Sequence, residues 1–571
     1  MTPNEIESLI AWSPVREVVT RAGLQPIRDA EITTVGFWDA WKLNKEAMKA
    51  AGITVSQFSG RWIATWWQRP RPVAPPTPVV RVEVAPVEKP APMPVPAHVA
   101  GKLRDYQVDP VATLSAGINR FNCVLDASKM GVGKSFAALG TLKTLGLKPM
   151  VICRKAAFPS WRRYAAHFDI DPNEVIIGNL ESIRNGKGPL GTWVRERRDS
   201  SRDREVFRWN VPNGYGLVID EVHGCAGIDS LNSQLLTAAA WQKLPLDMLS
   251  ATAANSPLKM RAIGYALGLH RGHDFEQWLE AHGCQEGKYG MEFKCGMEPR
   301  ELGWWDHAER VWVNDPKGME ELERRQHEVM AKIHNAIFPV GKGVNIDSKN
   351  IPGFPENLII PEALDFASAT KEIASTYADL ELEILALGRG KQMAKRAIVK
   401  KTHVKIEKFK TPLICDLAKE GMAEGYSVAI FFNYTESLMH AASILKTSCL
   451  IHGEQTAEER AKNEDDFQSN RSRVILLNNQ AGGESLSLHD LHGGHPRLGW
   501  IFPTFWAEVM RQCSGRLPRN GGKTPVVQRI PFAVGTIEED AYRSSMLKLS
   551  RIDVFNGDAL TDSDLNMGLD L

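Results

Sequence analysis

Residues 124–142 read VLDASKMGVGKSFAALGTL, and their reading governs how the rest of the chain is taken. The apolar run 123–125 has strand character, a turn follows with Gly131 and Gly133, and the Ala/Leu-rich stretch from Ser135 onward has helical character. A strand, a glycine turn and a helix in that order aim backbone N–H groups and a helix N-terminus at an anion. Gly133, Lys134 and Ser135 form the ending of a phosphate-binding loop, GxxxxGK[ST], with Ser128 standing at the first glycine position. In such a loop Lys134 reaches the β- and γ-phosphates, and the Ser135 hydroxyl holds Mg²⁺. The plainer alternative is a glycine turn beside an exposed lysine.

A second stretch bears on that choice. Residues 216–223 read GLVIDEVH, a strand ending in two carboxylates. In a parallel sheet those carboxylates lie at the carboxyl edge, where a ligand on the first loop also sits. Asp220 would hold Mg²⁺ through water and Glu221 would polarise an attacking water. Alone, an Asp-Glu pair merely ends a strand in solvent; its weight comes from following a phosphate loop in the same lobe.

Around these stretches, strand-length apolar runs alternate with helical ones. One series comprises FNCVL, PMVIC, EVIIG, GLVID and LDMLS, and a second comprises SVAIFF, SCLIHG, RVILLN, LGWIFP and VVQRIPF between residues 427 and 532. Strands alternating with helices imply buried parallel sheets, and two series imply two α/β lobes. The 69 Lys+Arg nearly cancel the 68 Asp+Glu, so any basic surface is local. Eight cysteines are scattered without a CxxC pair, and the N-terminus MTPNEIESLI lacks a basic region followed by an apolar one. These features lead us to expect a cytoplasmic protein, and no uninterrupted apolar run is long enough to span a bilayer.

Further stretches carry a family resemblance. Residues 103–107, LRDYQ, resemble a Q motif; 152–161, ICRKAAFPSW, motif Ia; 179–183, NLESI, motif Ib; and 249–257, LSATAANSP, motif III. The second half continues with YSVAIFFNYTESL (motif IV), IHGEQTAEERAKNEDDF, VILLNNQAGGESLSLHD (motif V), RQCSGRLPRNGG (motif VI) and GTIEEDAY. The chain thus resembles a superfamily 2 helicase-type ATPase, most of all the Swi/Snf-like group of double-stranded-DNA translocases, over residues 102–549. The resemblance implies two RecA-like lobes, ATP and Mg²⁺ as cofactors, and a DEVH box at residues 220–223. It assigns Arg104, Gln107, Met130, Gly131, Val132, Gly133, Lys134 and Ser135 to the nucleotide, with Gln107 on the adenine edge. Ser135 and Asp220 become metal residues. Lys134, Asp220, Glu221, Gln512, Arg516 and Arg519 become catalytic, the two arginines acting as fingers on the γ-phosphate.

The sequence departs from that pattern at four places. Ser128 and Lys129 replace an acidic pair, Ala253 stands where motif III carries Pro, and Ser485 where motif V carries Gly. The fold class expected is α/β, with two RecA-like parallel-sheet lobes, a helical inter-lobe insertion and a small N-terminal accessory domain. The division is 1–68 accessory, 69–98 linker, 99–268 first lobe, 269–400 insertion, 401–556 second lobe and 557–571 acidic tail.

The linker has ten prolines in thirty residues, which remove donors, fix φ and give an extended spacer of up to about 90 Å. The accessory segment holds six of the sixteen tryptophans: Trp12, Trp38, Trp41, Trp62, Trp66 and Trp67. Beside Lys42, Lys45, Lys49 and Arg61 these make either a stacking and phosphate surface or the core of a small domain. In the insertion, His270, His273, His282, Cys284 and Cys295 are zinc-type ligands, but at spacings that fit no compact zinc pattern. Residues 195–205, RERRDSSRDRE, read as a solvated excursion between strands. The functional expectation is ATP-dependent translocation on, or remodelling of, duplex or branched DNA, with RNA the lesser candidate, no membrane, and a protein partner through the N-terminal module. A strand-separating helicase and a non-hydrolysing nucleic-acid scaffold are the alternatives. The compact motif spacing points to a bacterial or phage origin.

Overall fold

The computed structural model describes residues 88–558, apart from 187, 199–200, 229, 288–289, 307–310, 365–391, 480–485 and 535. The accessory segment, most of the linker, residues 365–391 of the insertion, Ser485 with its neighbours, and nearly all of the acidic tail lie outside the described residues.

The first sheet contains β1 (Cys123–Asp126), β2 (Lys148–Ile152), β3 (Ile176–Gly178), β4 (Tyr215–Asp220), β5 (Leu246–Leu249) and β6 (Gly343–Val344). The second contains β7 (Asn357–Leu364), β8 (Ser427–Phe432), β9 (Leu450–Ile451), β10 (Val474–Asn478), β11 (Arg497–Ile501) and β12 (Val526–Ala533). Their orders are β6-β1-β5-β4-β2-β3 and β7-β12-β11-β8-β10-β9. Every pairing in both sheets is parallel. The two expected α/β lobes are therefore present.

Parallel strands must be covered on both faces, which is why these runs are apolar without alternation. Leu125, Ile152, Ile219 and Met248 enter the core on one face of the first sheet. Val151, Val218 and Leu249 pack on the other face against Ala138, Leu139 and Leu142. The second sheet divides likewise, with Phe431 and Leu477 on one side and Ile430, Phe432 and Leu476 on the other. The helices that position the site are α1 (Asp105–Phe121), α2 (Lys134–Thr144), α3 (Phe158–His167), α4 (Pro316–Asn335), α5 (Gln392–Ala423), α6 (Ala457–Gln468), α7 (Ala507–Ser514) and α8 (Ile537–Asn556).

Segment 269–400 proves to be shared between the lobes. Its residues 343–344 form the outer strand of the first sheet and its residues 357–364 the outer strand of the second, while α5 runs straight through position 400. A two-residue strand has no periodicity to read, and β7 is exposed over its first three residues, so neither stood out as a buried run. The end of the linker is also ordered against the first lobe. Met93 N donates to Ala112 O at 3.1 Å, Val95 packs beside Leu103, and Ala97–Ala100 forms a helical turn. The solvated excursion expected at 195–205 is the tip of an antiparallel hairpin, Gly191–Arg198 with Ser201–Trp209, on which Arg195 and Glu205 are exposed. At its base, buried Phe207 and Trp209 alternate with Arg208, which lies 3.9 Å over the Trp241 ring.

Candidate active site

The turn after β1 owes its shape to two glycines with positive φ, Gly131 at +78° and Gly133 at +94°. Gly133 caps α2, so Lys134 and Ser135 open that helix. Lys134 is folded onto its own loop, with Nζ donating to Ser128 O at 2.8 Å and to Lys129 O at 3.2 Å. Burial holds its pKa below the usual lysine range, opposed by Asp126, Glu221 and Asp220. Asp126 ends β1 fully buried, and its Oδ1 accepts from Ser128 N at 2.9 Å.

Gln107 lies against the loop. Its Nε2 donates to Val132 O at 3.1 Å and Gly133 O at 3.2 Å, and its Oε1 accepts from Arg104 N at 3.0 Å. The amide oxygen and both N–H groups thus brace the loop against α1. Arg104 is exposed; besides this backbone donor its carbonyl accepts from Gln107 N at 2.8 Å. Tyr106 adds a second brace, its hydroxyl donating to Val132 O at 2.9 Å.

β4 delivers Asp220 and Glu221 to the same sheet edge. Asp220 Oδ2 accepts from the indole N–H of Trp161 on α3 at 3.1 Å. Burial and the neighbouring Glu221 charge push the Asp220 pKa upward. Burial acts in the same sense on Glu221, but His223, Lys134 and Arg516 hold it below the usual carboxylate range. Glu221 adopts left-handed backbone, φ +56° and ψ +53°, a conformation that costs a non-glycine residue energy and recurs at functional sites. His223 Nδ1 lies 3.0 Å from Ser250 Oγ, 3.3 Å from Thr252 Oγ1 and 3.3 Å from Glu221 Oε2. The serine is its best-placed hydrogen-bond partner, and the carboxylate adds charge attraction.

The second lobe closes on this edge. Gln512 Nε2 is 3.5 Å from His223 Nε2, and Asn255 Nδ2 donates to Glu508 Oε1 at 3.0 Å. Pro518 and Arg519 lie directly on the loop: a Cβ on Gly131 would meet Arg519 Cγ at 3.1 Å and Pro518 O at 3.1 Å. Asn520 N donates to Gly131 O at 3.3 Å, and Asn520 Nδ2 donates to the Tyr106 hydroxyl. Arg516 is buried and donates to Leu486 O at 3.3 Å, while the charge of Glu221 offsets the downward push of burial. Glu464 on α6 accepts from Ser487 N at 2.6 Å and lies in the field of both arginines. The structure thus gathers Lys134, Asp220, Glu221, Gln512, Arg516 and Arg519 at one cleft.

The cleft fits an anion. Arg519 Nε is buried with no hydrogen-bond partner among the described residues, and burial pushes that guanidinium down to about 10. Lys134 is bound only through loop carbonyls among the bonds seen. The sequence assigned no role to Trp161, His223, Tyr106, Glu464 or Asn520, although all five stand inside the motif stretches quoted above. Two of the five zinc-type residues are otherwise engaged. His270 Nε2 pairs with Met260 O at 3.1 Å, His282 Nδ1 pairs with Trp278 O at 2.7 Å, and no metal-holding group of three forms among the described residues.

Residues 410–521 match the family described as the helicase conserved C-terminal domain. The chain is 28% identical over 477 residues to a protein of Acanthamoeba polyphaga mimivirus described as a putative ATP-dependent RNA helicase, covering 80% of this chain and 84% of that one. Among solved structures, Saccharomyces cerevisiae Dbp5 bound to RNA and ADP BeF3 matches at 13% identity and TM-score 0.40, over 81% of this chain and 92% of that one. The Sulfolobus solfataricus SWI2/SNF2 ATPase core in complex with dsDNA matches at 15% identity and TM-score 0.29, over 85% and 99%. The chain is thus similar to a helicase C-terminal domain over its second lobe and to a protein described as a helicase over most of its length.

Proposed function

We propose that this protein is an ATP-driven motor that moves along or remodels duplex or branched DNA. The observation that carries the reading is the placement of Arg516, Arg519 and Gln512 from the second lobe against the loop, Glu221 and His223 of the first. Bound ATP with Mg²⁺ would supply the phosphoryl group transferred to water. Lys134 would leave Ser128 O and Lys129 O to hold that group, with Ser135 and Asp220 on the metal. Glu221 would orient the attacking water and accept its proton, and the arginines would stabilise charge as it develops. His223, joined to Ser250, Thr252 and Gln512, would carry the state of this edge into motif III and the second lobe. Alternate opening and closing of the lobes would then drive stepping.

The DNA preference rests on the Swi/Snf-like motifs. The name of the viral relative favours the second reading, an RNA helicase. A non-hydrolysing scaffold would need neither the catalytic carboxylates nor the arginines. We also place the protein in the cytosol of a bacterium or a phage-infected cell, on its scattered cysteines and compact motif spacing; no described helix is long and apolar enough to cross a membrane. The test is the ATPase rate with single-stranded, duplex and forked DNA and with RNA. Duplex or forked DNA should stimulate most and Lys134→Ala should abolish the activity. Stimulation by RNA alone would overturn the DNA assignment, and an active Lys134→Ala would overturn the site.

A further inference from the structure

The two residues that depart from the usual loop, Ser128 and Lys129, are the ones that fasten it. Ser128 Oγ accepts from Ile346 N at 2.9 Å, and Lys129 N donates to Ile346 O at 3.0 Å, which sews the loop to the segment after β6. The Lys129 ammonium lies 3.0 Å from Asp347 Oδ1 and 3.4 Å from Asp558 Oδ2. Asp558 comes from just beyond α8, which begins in the second lobe after β12 and ends on the first. Its end is firmly seated: Phe555 is fully buried in the core of the first lobe, and His334 Nδ1 is 2.9 Å from Phe555 O. Asn556 Nδ2 donates to Ala251 O of motif III at 3.2 Å, and Asn345 Nδ2 donates to Asn556 O at 2.6 Å and Asp558 Oδ1 at 3.3 Å. The Asp558 side chain is only 7% exposed, so its charge depends on Lys129.

One more contact completes the chain. The Lys129 carbonyl accepts from Lys134 Nζ at 3.2 Å, so whatever sets the position of Lys129 also sets where the phosphate lysine rests.

We propose that Asp558 is a positioning residue for the phosphate loop, acting through Lys129, so that the C-terminal end of α8 fixes how readily the loop accepts nucleotide. This deepens the reading of the loop as an ATP site and rests on it. An acidic residue at position 129 would be repelled by Asp347 and Asp558, which accounts for lysine there.

The test uses the full chain and mant-ATP with Mg²⁺ as the probe. Lys129→Met strands the buried Asp558 beside Asp347, and should weaken mant-ATP binding about threefold or more, raising KM more than it lowers kcat. Adding Asp558→Asn to Lys129→Met should restore part of the affinity, because the stranded charge is gone, whereas Asp558→Asn alone should weaken binding. That reversal of sign is not expected of a merely structural contact. Unchanged mant-ATP affinity in Lys129→Met, or additive losses in the double variant, would overturn the proposal. Should Lys129→Met fail to fold, Asp558→Asn alone decides, since Lys129 keeps Asp347: wild-type affinity and KM would overturn it. Wild-type binding lost in Lys134→Ala secures the site itself, so a failure of Asp558 is then its own; a wild-type chain that binds no mant-ATP overturns both.

Discussion

Replacing Gly515 by alanine tests whether the closed cleft is the working state. Gly515 ends α7 with φ −84° and ψ 5°, a backbone that alanine adopts freely, so the second lobe alone loses nothing. Across the cleft the added Cβ would sit 2.4 Å from Met130 Sδ, 2.7 Å from Met130 Cβ and 3.1 Å from Met130 Cγ. Carbon atoms rest at about 3.5–4.0 Å, so the flexible sulfur can swing away, but the Met130 Cβ can yield only if the lobes part by roughly 1 Å. Overpacking of this kind costs about 1–3 kcal/mol. Charged wholly to the closed state, that is a fall in kcat of roughly 5- to 150-fold. The assay is steady-state ATP hydrolysis with saturating nucleic acid, beside thermal unfolding, which should stay near wild type. Met130→Ala in the same chain should recover part of the rate, because it removes Sδ and Cγ but leaves Cβ. A Gly515→Ala protein with kcat within about twofold of wild type would refute the assignment of this closure to turnover.

Four other outcomes are expected. Glu221→Gln should retain bound ATP without turnover, since Asp220 and the arginines remain; rapid release of radiolabelled ATP counts against Glu221 as the water-orienting group. Lys410→Met should cost about 3–5 kcal/mol in urea unfolding, because Glu538 Oε2, 2.7 Å from Lys410 Nζ with both side chains fully buried, is left without its cation; a loss under about 1 kcal/mol would contradict the buried-pair argument. Asp247 is fully buried with both carboxyl oxygens lacking hydrogen-bond partners among the described residues, and burial with the Asp126 charge pushes its pKa well up. A raised folded pKa gives stability that is complete below the ordinary aspartate value near ~3.9 and is lost as pH rises through the folded value, so Asp247→Asn should gain on wild type in melting temperature as pH is raised from about 4; parallel curves would contradict the burial argument. Finally, a chain beginning at Glu88 should match the full chain in ATPase without nucleic acid. One beginning at Ala97 should be less stable by about 1 kcal/mol or more, because it loses the Met93–Ala112 bond and Val95 packing, and equal melting temperatures would show that residues 88–96 add nothing.

The lobes were legible because buried parallel strands must be apolar on both faces, which leaves dense runs such as VILLN and SVAIFF in the sequence. The residues gathered at the cleft were legible for a different reason: Lys134, the Asp220–Glu221 pair and Gln512–Arg516–Arg519 occupy short local patterns at a helix start, a strand end and a helix end. What escaped was whatever depends on chain segments far apart. The bonds from Gln107 to Val132 and Gly133 reach a loop 25 and 26 residues away, which no local pattern shows. β6 is two residues long, and its value lies in the hydrogen bonds it makes to β1 and the loop. Asp558 carries no signal in an acidic tail until α8 is seen to deliver it to Lys129.

The charges at the cleft explain why these elements belong together. Lys134, Arg516 and Arg519 are all pushed down by burial, the direction expected when cations are drawn out of water faster than fixed carboxylates compensate them. Glu221 and Glu464 offset only part of this, and Asp220 is itself raised, which makes it a weaker counter-charge. Closing the second lobe onto the first without further negative charge therefore concentrates three cations at a cost. A polyphosphate in the cleft reverses the sign of that term and rewards closure, whereas loss of its terminal charge restores the penalty and favours opening. In the proposed motor the buried arginines that would stabilise developing charge would also supply the force that separates the lobes, so hydrolysis and movement would draw on one electrostatic term rather than on two devices.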